Sequence, residues 1–403
     1  MINLEIPKKL APLAAQANQV AKEVLRPISR KYDVAEHEYP KELDMLAALI
    51  DGMNDSGGTS GAGAAGVKRS KDDDAGGNRN GSNMSTLLGV IEMCWGDVGL
   101  LLSMPGQGLG NSAIAAVADD EQLELYGGRW AAMAITEPEA GSDSAAIRTT
   151  AELDGDEYVL NGEKIYVTSG ERAELVVVWA TLDRSQGRPA IKSFVVERSN
   201  PGMILDRLEH KLGIRASDTA AFRLEDCRVP KEALLGTPEI DAKRGFAGVM
   251  QTFDNTRPLV AGMAIGVARA CLEHTKEKLS EAGIEIDYDK PPTLQTAAAS
   301  KYLEMEADWE AARLLTLQAA WMADNSRPNS VQASMAKAKA GRTGVEIAMA
   351  CIELCGAAGY SEDELLEKWA RDAKILDIFE GTQQIQLLII ARQLLGKSSA
   401  ELR

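Results

Sequence analysis

Basic charge, histidine and cysteine are all in short supply in this chain of 403 residues. Lys and Arg number 44 against 60 Asp and Glu, a formal net charge of −16. A balance this acidic repels phosphate backbones, so nucleic acid and anionic membrane are excluded as first partners. The three histidines, His37, His210 and His274, stand far apart, and the five cysteines, Cys94, Cys227, Cys271, Cys351 and Cys355, form no CxxC pair. That scatter argues against a His/Cys metal site, so no metal is expected. The odd cysteine count argues against a disulfide framework. No window approaches the roughly 20 uncharged apolar residues of a membrane span. Met1–Leu10 carries Lys8 and Lys9 and no apolar signal core, so the sequence places the protein in the cytoplasm. The GxSxG, GxxxxGK[ST] and HExxH motifs are absent too. An enzyme built on this chain must lean on a carboxylate, a thiol or a cofactor.

What is present falls into three stretches. Hydrophobic residues make up 45% of the chain, enough for two or three cores. Apolar residues recur at helical spacing from Ile2 to about Ile50, including a segment Glu42–Ile50 after Pro40, and again from Met84 to Tyr126 with an interruption at Pro105–Gly108. Between them Gly52–Ser82 contains no Leu, Ile, Phe, Tyr or Trp; unable to offset its ordering entropy by burial, it reads as a mobile loop. Its Gly61–Gly66 run matches GxGxxG, but no buried strand leads in, so the dinucleotide reading fails on context. Short strand-like runs follow at Ala131–Ile135, Tyr158–Leu160, Lys164–Val167, Leu175–Ala180, Ile191–Val196 and Thr219–Leu224, separated by turn signals such as Asn161-Gly162. Beyond Lys243 long Ala- and Leu-rich helical segments predict an antiparallel bundle. The fold class expected is α+β and multidomain: an N-terminal helical domain over 1–130 with the loop at 52–82, a middle β-barrel or sandwich domain over 131–240, and a C-terminal helical bundle over 241–403.

Two segments can carry chemistry. Ile135–Asp143 leaves a strand and crowds hydroxyls and glycine into one loop, whose N–H groups can meet an anionic or heteroaromatic ligand; as a bare pattern a solvated turn explains it better. In Asp372–Gln386, Glu380-Gly381-Thr382 breaks two helices, and Ile378-Phe379 can desolvate the carboxylate and raise its pKa toward that of a working base. A helix cap is the competing reading. Cys351 and Cys355, one helical turn apart, read as small core residues rather than redox partners.

Four ordered segments resemble the acyl-CoA dehydrogenase family. Ile135–Ser142 resembles its [IV]TEPxAGSD loop, Lys164–Gly170 its KxWITNG strand, Phe253–Pro258 its FDxxRP helix start, and Arg371–Gln386 its RDAKIxxIYEGTxQIQ signature. The resemblance implies bound FAD and α,β-dehydrogenation of an acyl-CoA thioester to the trans-2-enoyl-CoA, as in fatty acid β-oxidation. Glu380 matches the base that takes the α-proton while the β-hydride passes to flavin N5. The cofactor contacts it implies are Ile135, Thr136, Gly141, Ser142, Tyr166, Thr168, Thr382 and Gln384; the substrate contacts are Ser142, Asp254, Arg257, Gly381 and Arg392. An ion pair at a helix start would equally explain Asp254 and Arg257. The family also implies a tetramer and an electron-transfer flavoprotein as acceptor. An acyl-CoA oxidase or a catalytically weak structural subunit are the alternatives.

The departures from the pattern are informative. Tyr166 replaces the usual Trp, and Phe379 the usual Tyr before the base. Where the family carries RxxFG, reaching toward a neighbouring subunit's FAD, this chain has Ile284 and Asp287, with Gln295 retained. Its QxxGGxG[YF] turn appears as Glu353–Tyr360 with Glu353 for Gln. Losing an arginine and adding carboxylates near a diphosphate weakens binding, which points to an α2β2 assembly with a second chain of this type; a homotetramer whose cofactor is held by other residues is the alternative.

Overall fold

The computed structural model describes residues 6–48, 80–106, 108–240, 247–397 and 401, with backbone only over 247–255. The Gly61–Gly66 run, and the expected loop as far as residue 79, lie outside the described residues. Helices α1 (Ala11–Val20), α2 (Arg26–Val34), α3 (42–48), α4 (Ser82–Gly96), α5 (Val98–Leu102), α6 (Leu109–Val117) and α7 (Asp120–Tyr126) precede the sheet. The expected break at Pro105–Gly108 falls between α5 and α6.

The sheet has seven strands: β1 (Ala131–Ala134), β2 (Thr150–Asp154), β3 (Glu157–Thr168), β4 (Leu175–Thr181), β5 (Ile191–Glu197), β6 (Met203–Leu208) and β7 (Thr219–Pro230). They run in the order β1-β4-β2-β3-β7-β6, with β5 paired to β4. The β1–β4 and β2–β4 pairs are parallel and the others antiparallel, a curled mixed sheet. All seven residues of β4 are buried, which is why it reads as an unbroken apolar run. Sequence patterning misses β2 and β6, whose exposed faces blur the alternation.

The Asn161-Gly162 turn signal is not a turn. The two runs it appeared to separate are one strand, β3, whose pairing with β7 shifts register between Leu160 and Gly162. Gly162 has φ +152, and a Cβ there would meet the Thr149 hydroxyl at 2.5 Å, so glycine marks a bulge. A second shift lies between Lys164 and Val167. It turns Tyr166 out of the ladder with φ +58 and leaves it 62% exposed.

After the sheet come α8 (Ala247–Glu281), α9 (Ala297–Asp324), α10 (Ser330–Cys355), α11 (Ala357–Tyr360), α12 (Leu366–Leu376) and α13 (Gln383–Leu395). Phe253–Pro258 is not a helix start: Pro258 lies inside α8, where it leaves the Asp254 carbonyl without its helical donor. No helix among the described residues is long and apolar enough to cross a membrane.

The largest core joins helices that precede the sheet to helices that follow it. Leu87, Leu88, Ile91 and Cys94 of α4 pack with Ile265, Cys271, Ile347 and Trp369 of the later helices. A buried polar knot then fastens all three stretches. Lys368 of α12 contacts Asp97 at 2.7 Å and Asp372 at 2.5 Å. Ser29 donates to Asp97, and Asp372 accepts from the Ile214 N–H at 2.6 Å. Arg371 pairs with Asp33 at 2.6 Å and donates to the Leu212 carbonyl at 3.0 Å. With charges this well compensated the knot can stay buried, and it holds the helix that leads into Glu380.

Candidate active site

Polar contacts gather the predicted residues into two groups. The first surrounds the loop after β1. Lys164, 0% exposed, donates to Glu137 at 2.7 Å and to the Ile135 carbonyl at 3.2 Å. Glu137 also accepts from the Arg148 N–H (2.6 Å), the Thr149 N–H (3.0 Å) and the Thr149 hydroxyl (2.6 Å). Burial pushes the Glu137 carboxyl up, but Lys164 and these donors bring it below its ordinary range; burial pushes Lys164 down to about 8 against Glu137. The pair anchors the loop from beneath, and the Ile165 N–H bonded to the Thr136 carbonyl at 2.9 Å ties it to β3.

Above that anchor, Ile135 is buried and Thr136 and Thr168 are half-buried, while Gly141, Ser142 and Tyr166 are exposed. A Cβ added at Gly141 would meet nothing within 4 Å. An out-turned aromatic ring beside partly open hydroxyls and an unfilled glycine suits a flat heteroaromatic ring with polar edges, so these residues fit the flavin that the sequence motifs imply.

The second group surrounds Glu380, between α12 and α13. Glu380 has φ +56 and Gly381 φ +91, a left-handed pair that an L-residue adopts only when its surroundings hold it there. Gln386, fully buried, donates to the Glu380 carbonyl at 3.0 Å and the Gly381 carbonyl at 3.1 Å. Lys337 of α10 donates to the Gly381 carbonyl at 2.7 Å. The Thr382 hydroxyl caps α13 by accepting from the Ile385 N–H at 3.3 Å. Thr256 of α8 donates to Glu380 Oε2 at 2.8 Å. Burial pushes the Glu380 carboxyl above its ordinary value, against the Thr256 hydroxyl and the charges of Arg257 and Lys337. No backbone carbonyl among the described residues accepts from the Glu380 N–H.

Gly381 and Arg257, which is buried, thus share the neighbourhood of Glu380. Gln384 is exposed in the first turn of α13 and Arg392 is half-buried in its last; the Asp254 side chain lies outside the described residues. Sequence reasoning did not single out Thr256, Lys337, Gln386 or the Glu137–Lys164 anchor. Gln386, Glu137 and Lys164 stood inside quoted motifs, whereas Lys337 sits in an alanine-rich run with no local signal.

Two other expectations meet the structure. His37 and His210, remote in sequence, have ring centroids 5.1 Å apart. With Glu36 they form a group that could hold a metal, their ligand atoms within 4.8 Å of one another. Glu36 already accepts from His210 Nδ1 at 2.9 Å and the Lys211 N–H at 3.0 Å. The cysteines are free thiols; burial pushes Cys351 up to about 12, away from thiolate chemistry.

Residues 132–227 match the model for the acyl-CoA dehydrogenase middle domain and 243–395 that for its C-terminal domain. The chain is 34% identical over 328 residues to the probable acyl-CoA dehydrogenase YngJ of Bacillus subtilis, covering 79% of this chain and 84% of that protein. It is 40% identical over 262 residues to the mitochondrial short-chain specific acyl-CoA dehydrogenase of Mus musculus. That match covers 65% of this chain and 62% of the mouse protein, so the chain spans less than two thirds of the mammalian relatives it matches. Among solved structures it resembles butyryl-CoA dehydrogenase from Megasphaera elsdenii, with TM-score 0.81, 28% identity and coverage of 98% of this chain and 100% of that one. A glutaryl-coenzyme A dehydrogenase in complex with glutaryl-CoA gives TM-score 0.82 at 27% identity, covering 99% and 98%. From its matched domains, its relatives and its fold, the chain belongs to the acyl-CoA dehydrogenase family.

Proposed function

We propose that this chain carries out the α,β-dehydrogenation of an acyl-CoA thioester to the trans-2-enoyl-CoA, with Glu380 as the base. The observation that carries the reading is the buried Glu380 carboxyl, raised above its ordinary pKa and hydrogen-bonded to Thr256. A carboxylate short of hydrogen bonds and water is a stronger base, as abstraction of a weakly acidic α-proton requires. The Glu380 N–H supplies a donor for the thioester carbonyl, where negative charge grows as the proton leaves. Gly381 keeps that edge of the turn free of a side chain, and Ser142, Asp254, Arg257 and Arg392 orient the thioester and its CoA arm.

FAD, when bound, supplies the acceptor for the β-hydrogen. Ile135, Thr136, Gly141, Ser142, Tyr166 and Thr168 line its place beside β1 and β3, and Thr382 and Gln384 approach from the start of α13. An electron-transfer flavoprotein is the proposed oxidant of the reduced protein in the cytoplasm, and a tetramer the proposed assembly.

A specific observation favours the α2β2 form. Gln295, the retained glutamine, spends its amide inside its own chain: it accepts from the Asp287 N–H at 3.0 Å and donates to the carbonyls of Asp287 and Lys290 at 2.9 and 3.0 Å. Asp287 in turn pairs with Lys290 at 2.9 Å, and Ile284 packs against the main core. A segment folded back on itself is a poor donor to a neighbour's diphosphate.

The test is flavin per chain for the protein purified alone, followed by anaerobic addition of acyl-CoAs beginning with the butyryl and glutaryl thioesters. Bleaching of the flavin by one thioester, reduced by roughly two to four orders of magnitude in Glu380→Gln with flavin retained, is the expected result. Full bleaching rate in Glu380→Gln would remove the base from the reading. One FAD per lone chain would remove the second-chain assembly.

A further inference from the structure

The Glu380 turn has a charged neighbour to which the proposed reaction gives no direct task. Lys337 lies on α10 within an alanine-rich face and is 1% exposed. A buried ammonium needs compensation, and the Glu380 carboxylate does not supply it through a hydrogen bond: its oxygen takes the Thr256 hydroxyl, while Lys337 Nζ turns to the Gly381 carbonyl at 2.7 Å. Burial pushes Lys337 down to about 8, with Asp377 and Glu380 pulling it back up and Arg257 pushing it down further. The charged groups around it therefore come from α8 (Arg257), the end of α12 (Asp377) and the turn itself (Glu380).

The backbone bond matters because of where it falls. Peptide planes are rigid, so gripping the Gly381 carbonyl fixes the plane that links the left-handed pair to Thr382, the cap of α13. Gln386 grips the same carbonyl and the one before it, but from α13 itself. Lys337 alone of these two donors reaches the turn from another helix of the bundle. It ties the backbone of the turn to a neighbouring helix, as Thr256 of α8 ties the Glu380 side chain.

We propose that Lys337 is a positioning residue for the base: from α10 its ammonium holds the Gly381 carbonyl, fixes the left-handed Glu380–Gly381 turn, and by its charge favours the ionised form of Glu380. The role of the charge rests on the reading of Glu380 as the base, whereas the grip on the turn does not.

The experiment compares the full-length flavin-loaded protein with Lys337→Met, which removes donor and charge at similar length, and Lys337→Arg, which keeps both. The first readout is amide hydrogen exchange over Phe379–Gln386, with β4 as the internal control for folding. Exchange should be about tenfold faster over the turn in Lys337→Met, the factor for losing a hydrogen bond to a charged group, unchanged in β4 and restored toward wild type in Lys337→Arg. The second readout is the pH profile of kcat/KM for thioester oxidation. Loss of the positive charge raises the Glu380 pKa, so the acidic limb should move to higher pH in Lys337→Met and stay in place in Lys337→Arg, a shift that loosened packing alone would not produce. Turn exchange within about twofold of wild type, or an acidic limb that does not move, overturns the proposal. If Lys337→Met fails to fold, Lys337→Gln, a shorter neutral donor, should show the shifted limb with a smaller rise in exchange. If the turn loosens as expected but wild-type protein oxidises no thioester, the grip on the turn stands and it is Glu380 as the base that falls.

Discussion

Glu137 beside Lys164 and Glu380 near Lys337 are two placements of the same pair of residue types in one molecule. In the first, ammonium and carboxylate meet at 2.7 Å, and three further donors complete the carboxylate's shell. Its pKa falls below the ordinary range despite burial. In the second, the ammonium is diverted to a backbone carbonyl and, among the described residues, the carboxylate keeps one hydroxyl; its pKa rises. Burial is common to both, so the number and kind of partners decide the outcome. The saturated pair is an anchor beneath a loop, and the starved carboxylate is the one proposed as the base.

The comparison can be broken hardest at the anchor. Glu137→Gln leaves the Lys164 ammonium buried without its counter-charge and should cost about 3–5 kcal/mol in chemical denaturation. The double change with Lys164→Met should cost much less, since no uncompensated charge remains. The sign with pH follows from the shifts. The Glu137 pKa is depressed, so its contribution is present above its unfolded value of 4.5 and lost as the pH falls through its folded value. Equal stability of single mutant and wild type from pH 5 to 8 would refute the anchor. At the turn, Gly381→Ala puts a Cβ 2.4 Å from Gln386 Nε2 at φ +91 and should cost about 1–3 kcal/mol, with a larger loss in thioester oxidation than in stability; a neutral effect on both would mean that the turn is not held. The finest probe is Thr256→Val. Its hydroxyl lowers the Glu380 pKa, so its removal should move the acidic limb of kcat/KM to higher pH. A downward move would invert the account of how the base is tuned.

How much of this was legible beforehand differs between the regions. The helices-sheet-helices order followed from apolar periodicity, because a 3.6-residue and a 2-residue repeat leave different traces in a linear string. β3 was cut in two because a glycine bulge and a turn share the Asn-Gly signal, and only the partner strand tells them apart. At the site, the helix break after an apolar approach left Glu380 open between a base and a helix cap, and the resemblance of Arg371–Gln386 to the family signature singled it out. Thr256, Lys337 and Gln386 were not singled out, since each acts on Glu380 or its turn through a contact that no local pattern encodes. The two histidines read as unrelated are neighbours for the same reason.

By itself, then, the sequence determined the class of fold and the family, the latter through four motifs, all properties carried by short stretches of chain; the carboxylate proposed as the base came with those motifs. Only the tertiary structure decided which of two buried glutamates is neutralised and which has its pKa raised, and that helices on either side of the sheet in sequence share one core. Hydrogen bonds and charges act over a few ångströms of space whatever the separation in sequence. The tuning of Glu380 by residues more than 40 and 120 positions away exists only once the chain has folded.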